Sequence, residues 1–220
     1  MRQQSLSGKT ALVTGGGGKF GQTLCLALAQ RGAKIIVGDI NLTKARQSAA
    51  QIGGLALGLD VTDAAMWQNA LASINDLFGP LDLLFHCASS ALADDADAAL
   101  VLATCVGGVE LGNTLCASGQ LTSVQFASVQ FVSAAAWSPD PKAPIWSACQ
   151  FAKRGLHLAQ SRRPDGPRSV LVGYDVPPKP RQLVRDDEIA AATLWGLGRG
   201  QTDVFVPGGF GVGAFRRKNN

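Results

Sequence analysis

The 220-residue chain reads as a Rossmann-type α/β fold, a doubly wound parallel sheet forming one domain over residues 1–220. Three observations predict it. Apolar strand-like segments alternate with helical segments along most of the chain, the pattern of crossover units and a parallel sheet. The first strand, Ala11-Leu12-Val13-Thr14, runs straight into Gly15-Gly16-Gly17-Gly18-Lys19-Phe20-Gly21 and then a helix. The second strand, Lys34-Ile35-Ile36-Val37-Gly38, ends at Asp39. Strand, glycine turn, helix, strand and acid together make the fingerprint of a dinucleotide site.

Each part of the glycine segment has a physical reason. Gly15, Gly18 and Gly21 remove Cβ atoms where the chain turns, where a ligand approaches the backbone, and where helix packs on strand. Free N–H groups and the positive helix end then face an anion. The helix that follows places Phe20, Leu24, Ala27 and Leu28 on one face.

Past Asp39, Asn41 or Thr43 caps a helix reaching about Gln51, and Leu55 to Leu59 forms a third strand leading into Asp60-Val61-Thr62-Asp63. Thr62 is the expected N-cap of the next helix, with the apolar stripe Met66, Ala70, Ile74 and Leu77, stopped by Gly79-Pro80. Leu81 to His86 is a buried strand, followed by Cys87-Ala88-Ser89-Ser90. A long helix from Asp97 to Ala117 is broken by Gly107-Gly108 and Gly112, which predicts close packing there. A fifth strand, Val129 to Ser133, precedes a Pro-rich loop to Pro144 and a helix from Trp146 to Gln160. Strand Ser169 to Gly173, helix Asp187 to Leu197 and strand Asp203 to Val206 complete the sheet.

At 46% apolar residues the chain carries one substantial core. Its net charge of +4 draws on Arg216-Arg217-Lys218 in a basic tail over 216–220, expected to fray, and argues against nucleic acid. The opening Met1 to Ser5 has no apolar signal segment, and no stretch reads as a membrane span, so the expected location is cytoplasmic, away from membranes. Cys25, Cys87, Cys105, Cys116 and Cys149 form no CxxC pair and read as buried thiols in a reducing compartment. Asp94, Asp95 and Asp97 read as a solvated helix start, and no metal site is expected.

Taken together, these segments resemble the short-chain dehydrogenase/reductase family over nearly the whole chain. Thr14-Gly15-x-x-Gly18-x-x-Gly21 is similar to a variant of its glycine motif, with Lys19 where the commoner form has glycine. Leu59-Asp60-Val61-Thr62 resembles its adenine-contacting segment, and Leu81 to Ser89 stands in the place of its strand ending Asn-Asn-Ala-Gly, keeping only Ala88 of that motif. Glu188-Ile189-Ala190 and Val206-Pro207-Gly208-Gly209 resemble its last helix and closing turn. The resemblance implies a nicotinamide dinucleotide held by Thr14, Gly15, Gly18, Lys19, Phe20, Gly21, Asp39, Ile40, Asp60, Val61, Cys87, Ala88, Ser89 and Lys153. Asp39 favours NAD, because a carboxylate accepts from a ribose diol and repels a 2′-phosphate. The plainer alternative is an acid that only caps the Asn41 turn, and Lys44 and Arg46 can offset its charge, which keeps NADP open.

The resemblance further implies hydride transfer to or from a small carbonyl or alcohol substrate, and a homodimer or homotetramer paired through the helices from Asp97 and from Trp146. Members use a serine, a tyrosine, a lysine and an asparagine for this chemistry. Ser133 fits the serine, Cys105 stands where the asparagine is usual, and Tyr174, the only tyrosine, lies beyond the catalytic helix. Two registers compete for the missing Tyr-x-x-x-Lys: Trp146 with Gln150, or Cys149 with Lys153. The second is preferred because Ser138-Pro139-Asp140-Pro141 looks like a loop insertion. It makes Ser133, Lys153 and Cys149 the candidate catalytic residues, the Cys149 thiol having its pKa lowered by the lysine if it donates a proton. The rival reading is an inactive NAD-binding sensor or structural subunit, with Cys149 a buried small hydrophobe. His86 is expected to be a hydrogen-bonded core residue, and His157 an exposed or interface one. Only nine residues separate Pro177-Pro178 from Glu188, too few for the helical lid that family members place over substrate.

Overall fold

A computed structural model describes residues 5–89, 97–118, 122–163, 168–174 and 185–206. Among the described residues seven strands form one parallel sheet: β1 (Thr10–Thr14), β2 (Lys34–Asp39), β3 (Leu55–Gly58), β4 (Leu81–His86), β5 (Thr122–Ser133), β6 (Arg168–Tyr174) and β7 (Asp203–Val206). Their order is β3-β2-β1-β4-β5-β6-β7. The chain winds one way from β1 and then the other. A crevice therefore opens beyond the carboxyl ends of β1 and β4, the place where such sheets take ligands.

The helices are α1 (Lys19–Ala29), α2 (Leu42–Ile52), α3 (Ala64–Phe78), α4 (Ala98–Leu102), α5 (Gly108–Ser118), α6 (Pro144–Gln160) and α7 (Asp186–Gly198). Adjacent strand residues divide between two cores. Val13, Val37, Phe85 and Val129 pack with Leu24 and Leu28 of α1 and Ile189 of α7. Leu12, Ile36 and Leu84 pack with Trp67, Leu71 and Ile74 of α3 and Cys116 of α5. Burial on both faces is why the strands read as continuous apolar runs.

Several expectations are corrected. Asp63, rather than Thr62, caps α3, accepting from the amides of Ala65 and Met66, while the Thr62 hydroxyl donates to Asp60. The buried face of α3 is Trp67, Ala70, Leu71 and Ile74, and Leu77 is 64% exposed. The Trp67 indole N–H donates to Val61 O, which turns the ring inward and rotates the face by one residue. The stretch from Asp97 is not one regular helix, because a π turn, Ala103–Gly107, joins α4 to α5. Close packing holds at Gly108 and Gly112, where a Cβ would lie 2.7 Å from Val61 and from Trp67, but not at Gly107. The run Ala98–Ala117 is also long and apolar enough to cross a membrane by length and composition, contrary to the reading of the bare sequence. In this fold it lies against the sheet, burying Val101, Cys105, Val109, Asn113 and Cys116. Finally, β5 starts at Thr122, seven residues before the expected Val129, and its pairing with β4 is irregular between Leu81 and Leu83. Asp94, Asp95, Pro177-Pro178, Lys179, the closing Pro207-Gly208-Gly209 and the basic tail lie outside the described residues.

Candidate active site

The glycine turn closes on itself before it can face a ligand. Gly16 N–H donates to Gly38 O at 3.1 Å, Gly17 N–H to Asp39 Oδ2 at 3.0 Å, and Gly18 N–H to Gly15 O at 3.0 Å. Gly15 has φ +65°, and a Cβ there would come within 2.8 Å of the Ala88 backbone. A Cβ on Gly21 would run into the Gly15 carbonyl. Glycine is thus built into both places. Gly18 caps α1 without any side-chain hydrogen bond, so the first-turn amides of Lys19, Phe20 and Gly21 are left to meet an anion.

Around this turn the carboxyl edge collects most of the expected cofactor residues. The Thr14 hydroxyl donates to Phe85 O and accepts from Ala88 N–H, both at 3.3 Å, which fixes Cys87 and Ala88 against β1. Asp39 accepts from Asn41 N–H through Oδ1 at 2.9 Å as well as from Gly17, so the turn-capping role is real and the acid also ties β2 to the glycine turn. A carboxylate offers about four acceptor sites, which leaves room for a diol. Ile40 and Ser89 are exposed, and Val61 is buried. Asp60 is taken up by Thr62, accepting from its amide and hydroxyl. Lys19 is exposed and pairs at 3.9 Å with Asp186 at the start of α7.

The β5 end brings the catalytic candidates together. Ser133 is buried, its N–H donates to Gln150 Oε1 at 3.0 Å, and its Oγ has no hydrogen-bond partner among the described residues. The Lys153 ammonium, also buried, donates to Phe131 O at 2.6 Å. Burial lowers its pKa, against which the nearby thiols of Cys105, Cys87 and Cys149 act. Gln150 and Lys153 thus both reach β5, one turn apart on α6. Cys149 is fully buried in a small apolar cluster with Val101 and Cys105, with Val106 and Trp146 against it. Burial raises its thiol pKa, helped by Cys105 and only partly opposed by Lys153. The raised thiol disfavours the donor reading of Cys149 and agrees with the alternative, a buried small hydrophobe: the lysine's charge does not overcome desolvation.

Two further features bear on the site. Tyr174, which lies past α6 in sequence, is the strand partner of Ser133 in the parallel β5–β6 pair. On the other sheet face a buried polar network joins strands to helices. His86 Nε2 meets Asn113 Oδ1 at 3.1 Å, Ser128 donates to the same oxygen at 2.6 Å, and Asn113 donates to Gln160 Oε1 at 3.1 Å. Gln130 also donates to Gln160, which donates on to Glu110. His86 is the hydrogen-bonded core residue expected. His157 is not exposed: it is buried, with Nδ1 at 2.9 Å from Ser169 Oγ and Nε2 at 3.5 Å from Asp203 Oδ1.

A family model for short chain dehydrogenases matches residues 9–158, from the start of β1 through most of α6. The chain belongs to the short-chain dehydrogenase family. Among curated relatives of this chain, 2,5-dichloro-2,5-cyclohexadiene-1,4-diol dehydrogenase of Sphingobium indicum is 44% identical over 88 residues, 38% of this chain and 35% of that protein. Sorbitol dehydrogenase of Cereibacter sphaeroides is 41% identical over 86 residues, covering 38% and 34%. The match thus spans about a third of the length of these curated relatives. Solved structures carry the same fold at low identity. A glucose/ribitol-type short-chain dehydrogenase from Brucella melitensis superposes with TM-score 0.83 at 19% identity, covering 94% of this chain and 98% of that one. The 3-ketoacyl-(acyl-carrier-protein) reductase of Brucella melitensis, solved with NADH, superposes at 0.76 with 20% identity, covering 92% and 97%. Proteins of the family bind nicotinamide cofactors, and the glycine turn here has the bare α-carbons and free first-turn amides that a pyrophosphate needs.

Proposed function

We propose that this short-chain dehydrogenase binds NAD(H) and transfers hydride between it and a small alcohol or carbonyl compound. The observation that carries the reading is convergence: the uncapped start of α1, the Asp39 carboxylate, the unpartnered Ser133 hydroxyl and the Lys153 ammonium all stand at one carboxyl edge of the sheet. When bound, the nicotinamide supplies the hydride acceptor or donor. The chain's own residues do the rest. The first-turn amides hold the pyrophosphate, and Asp39 receives the ribose diol. Lys153, with one donor spent on Phe131 O, keeps two for a sugar hydroxyl. Ser133 Oγ, buried and unspent, orients the substrate oxygen.

NAD is preferred over NADP because Asp39 is held in place by two backbone amides and its charge opposes a 2′-phosphate. Titration with NADH and NADPH tests this: NADH binds more tightly, and Asp39→Asn narrows the gap by about tenfold, equivalent to ~1.4 kcal/mol. A screen over alcohols and ketones then tests turnover. The second reading, an NAD-binding protein without catalysis, draws on the burial and raised pKa of Cys149, which leave α6 without a proton donor. Binding without turnover on any substrate selects it.

Pairing of two copies through α4 and α6 completes the proposal. Leu100 and Leu102 of α4 and Ile145, Phe151 and Leu158 of α6 stand exposed.

A further inference from the structure

The reading above leaves the proton without a source. No residue of α6 supplies it, since Cys149 is sealed in an apolar cluster and the helix contains no tyrosine. The parallel register supplies a candidate from another strand. Ser133, the last residue of β5, is the direct partner of Tyr174, the last residue of β6. Side chains of paired residues in a sheet stand on the same face, about 5 Å apart at their bases. Here that face is the one carrying Val129 and Phe131 of β5 and Val170 and Val172 of β6, and Tyr174 packs against this same core beside Cys87 and Phe20. Tyr174 is half-buried.

Resting on the nicotinamide-dependent activity just argued, we propose that Tyr174, in register with Ser133 at the carboxyl edge of the sheet, is the proton donor that α6 lacks. In the reducing direction the substrate carbon receives a hydride from the reduced dinucleotide. The C=O π pair becomes the new O–H bond as the Tyr174 hydroxyl releases its proton to the oxygen. The reduced dinucleotide would supply that hydride when bound, becoming oxidised, and solvent water reprotonates the phenolate. Ser133 Oγ, adjacent and unspent, holds the same oxygen while this happens. The groups facing the hydroxyl fit a donor. Burial first, then Asp186, Cys87 and Cys105, push its pKa up to about 12, so it is fully protonated at neutral pH. Cys87 and Cys105 are also electrostatic neighbours of Lys153, so the phenol and the ammonium share the same two thiols.

Because the chain has one tyrosine, the ultraviolet absorbance of tyrosinate reports Tyr174 alone. The test is a pH titration of that signal in the full chain, alone and saturated with NAD or NADH, with binding followed separately by calorimetry. If the nicotinamide of NAD sat beside the hydroxyl, its positive charge would move the midpoint down by about 1–3 pH units, whereas NADH would not. Dinucleotide that binds and leaves the tyrosine titration unmoved overturns the proposal while the binding reading stands. Absence of binding overturns both. On any substrate the screen finds, Tyr174→Phe lowers turnover by about 10²–10⁴-fold with dinucleotide affinity retained. Full turnover in Tyr174→Phe likewise refutes the assignment.

Discussion

Gly15 carries two constraints in one residue. Its backbone is left-handed at φ +65°, and the Ala88 backbone stands 2.8 Å from where a Cβ would sit. Gly15→Ala therefore meets strain and a collision with main chain that cannot swing aside. The expected cost is about 1–3 kcal/mol, read as a lower midpoint in urea, together with weaker dinucleotide binding, since Ala88 is tied to β1 through Thr14. Gly18→Ala is the contrast. Its φ is −79°, and only the Gly15 carbonyl comes near, at 3.3 Å, so the fold accepts the methyl and any loss falls on binding. Equal destabilisation by both changes would remove the distinction. At this scale the sequence was legible wherever a residue's role depends on its chain neighbours. Gly15, Asp39 and Ser133 are singled out that way. Tyr174 was set aside because it follows α6, and the pairing that joins it to Ser133 crosses a connection no linear spacing reveals. Cys149 carried two readings, a donor thiol near a lysine or a buried small hydrophobe, and its burial beside Cys105, a tertiary fact, favours the second.

Among the elements, β4, β5, α5 and α6 are held by polar contacts where apolar packing is usual. Asn113 takes hydrogen bonds on one oxygen from His86 and Ser128 and gives one to Gln160, all in the interior. A buried network of this kind is costly to leave half-made. His86 makes it pH-sensitive. Burial first, then Lys153 against the help of Asn113, lowers its pKa from 6.5 to about 4. The unfolded chain takes up a proton near the ordinary value and the folded chain does not, so stability falls as pH drops from about 6.5 toward 4 and is fully present above that window. The loss is on the order of 3 kcal/mol, measured by urea unfolding at a series of pH values. His86→Gln flattens that part of the profile. An unchanged slope in the variant would assign the effect to other groups. Strand and helix order came from the sequence almost intact because two-sided burial makes apolar runs. The start of β5 and the inward face of α6 did not, since Ser128, Gln130, Gln150 and Gln160 read as surface until their partners across the fold are known.

Across the whole molecule, α6 is inverted relative to an ordinary surface helix. Ser147, Gln150, Lys153, His157 and Gln160 point inward, while Phe151 and Leu158 are 42% and 41% exposed, two turns apart on the outward side. Gln150 and Lys153 reach β5, Gln160 joins the polar network, Ser147 bonds the Asp140 turn and His157 bonds Ser169. Apart from Cys149 and Trp146 in their small apolar cluster, the helix turns polar side chains inward, while Ile145, Phe151 and Leu158 stand exposed. Leu100 and Leu102 of α4, which packs beside α6, extend the patch. A contiguous exposed apolar surface of this kind marks an interface, and a second copy related by a twofold axis would set the same face against itself. Phe151→Glu places a charge at the centre of that contact with no inward partner to disturb. Sedimentation across a concentration range checks the consequence: the wild-type chain sediments as a dimer or larger, and Phe151→Glu raises the dissociation constant by at least ~10-fold, about 1.4 kcal/mol or more. The tyrosine and serine lie on the opposite sheet face from the network, so dinucleotide affinity should be unchanged in this variant. A wild-type chain that sediments only as monomer removes the pairing and leaves the outward face of α6 without a physical reason.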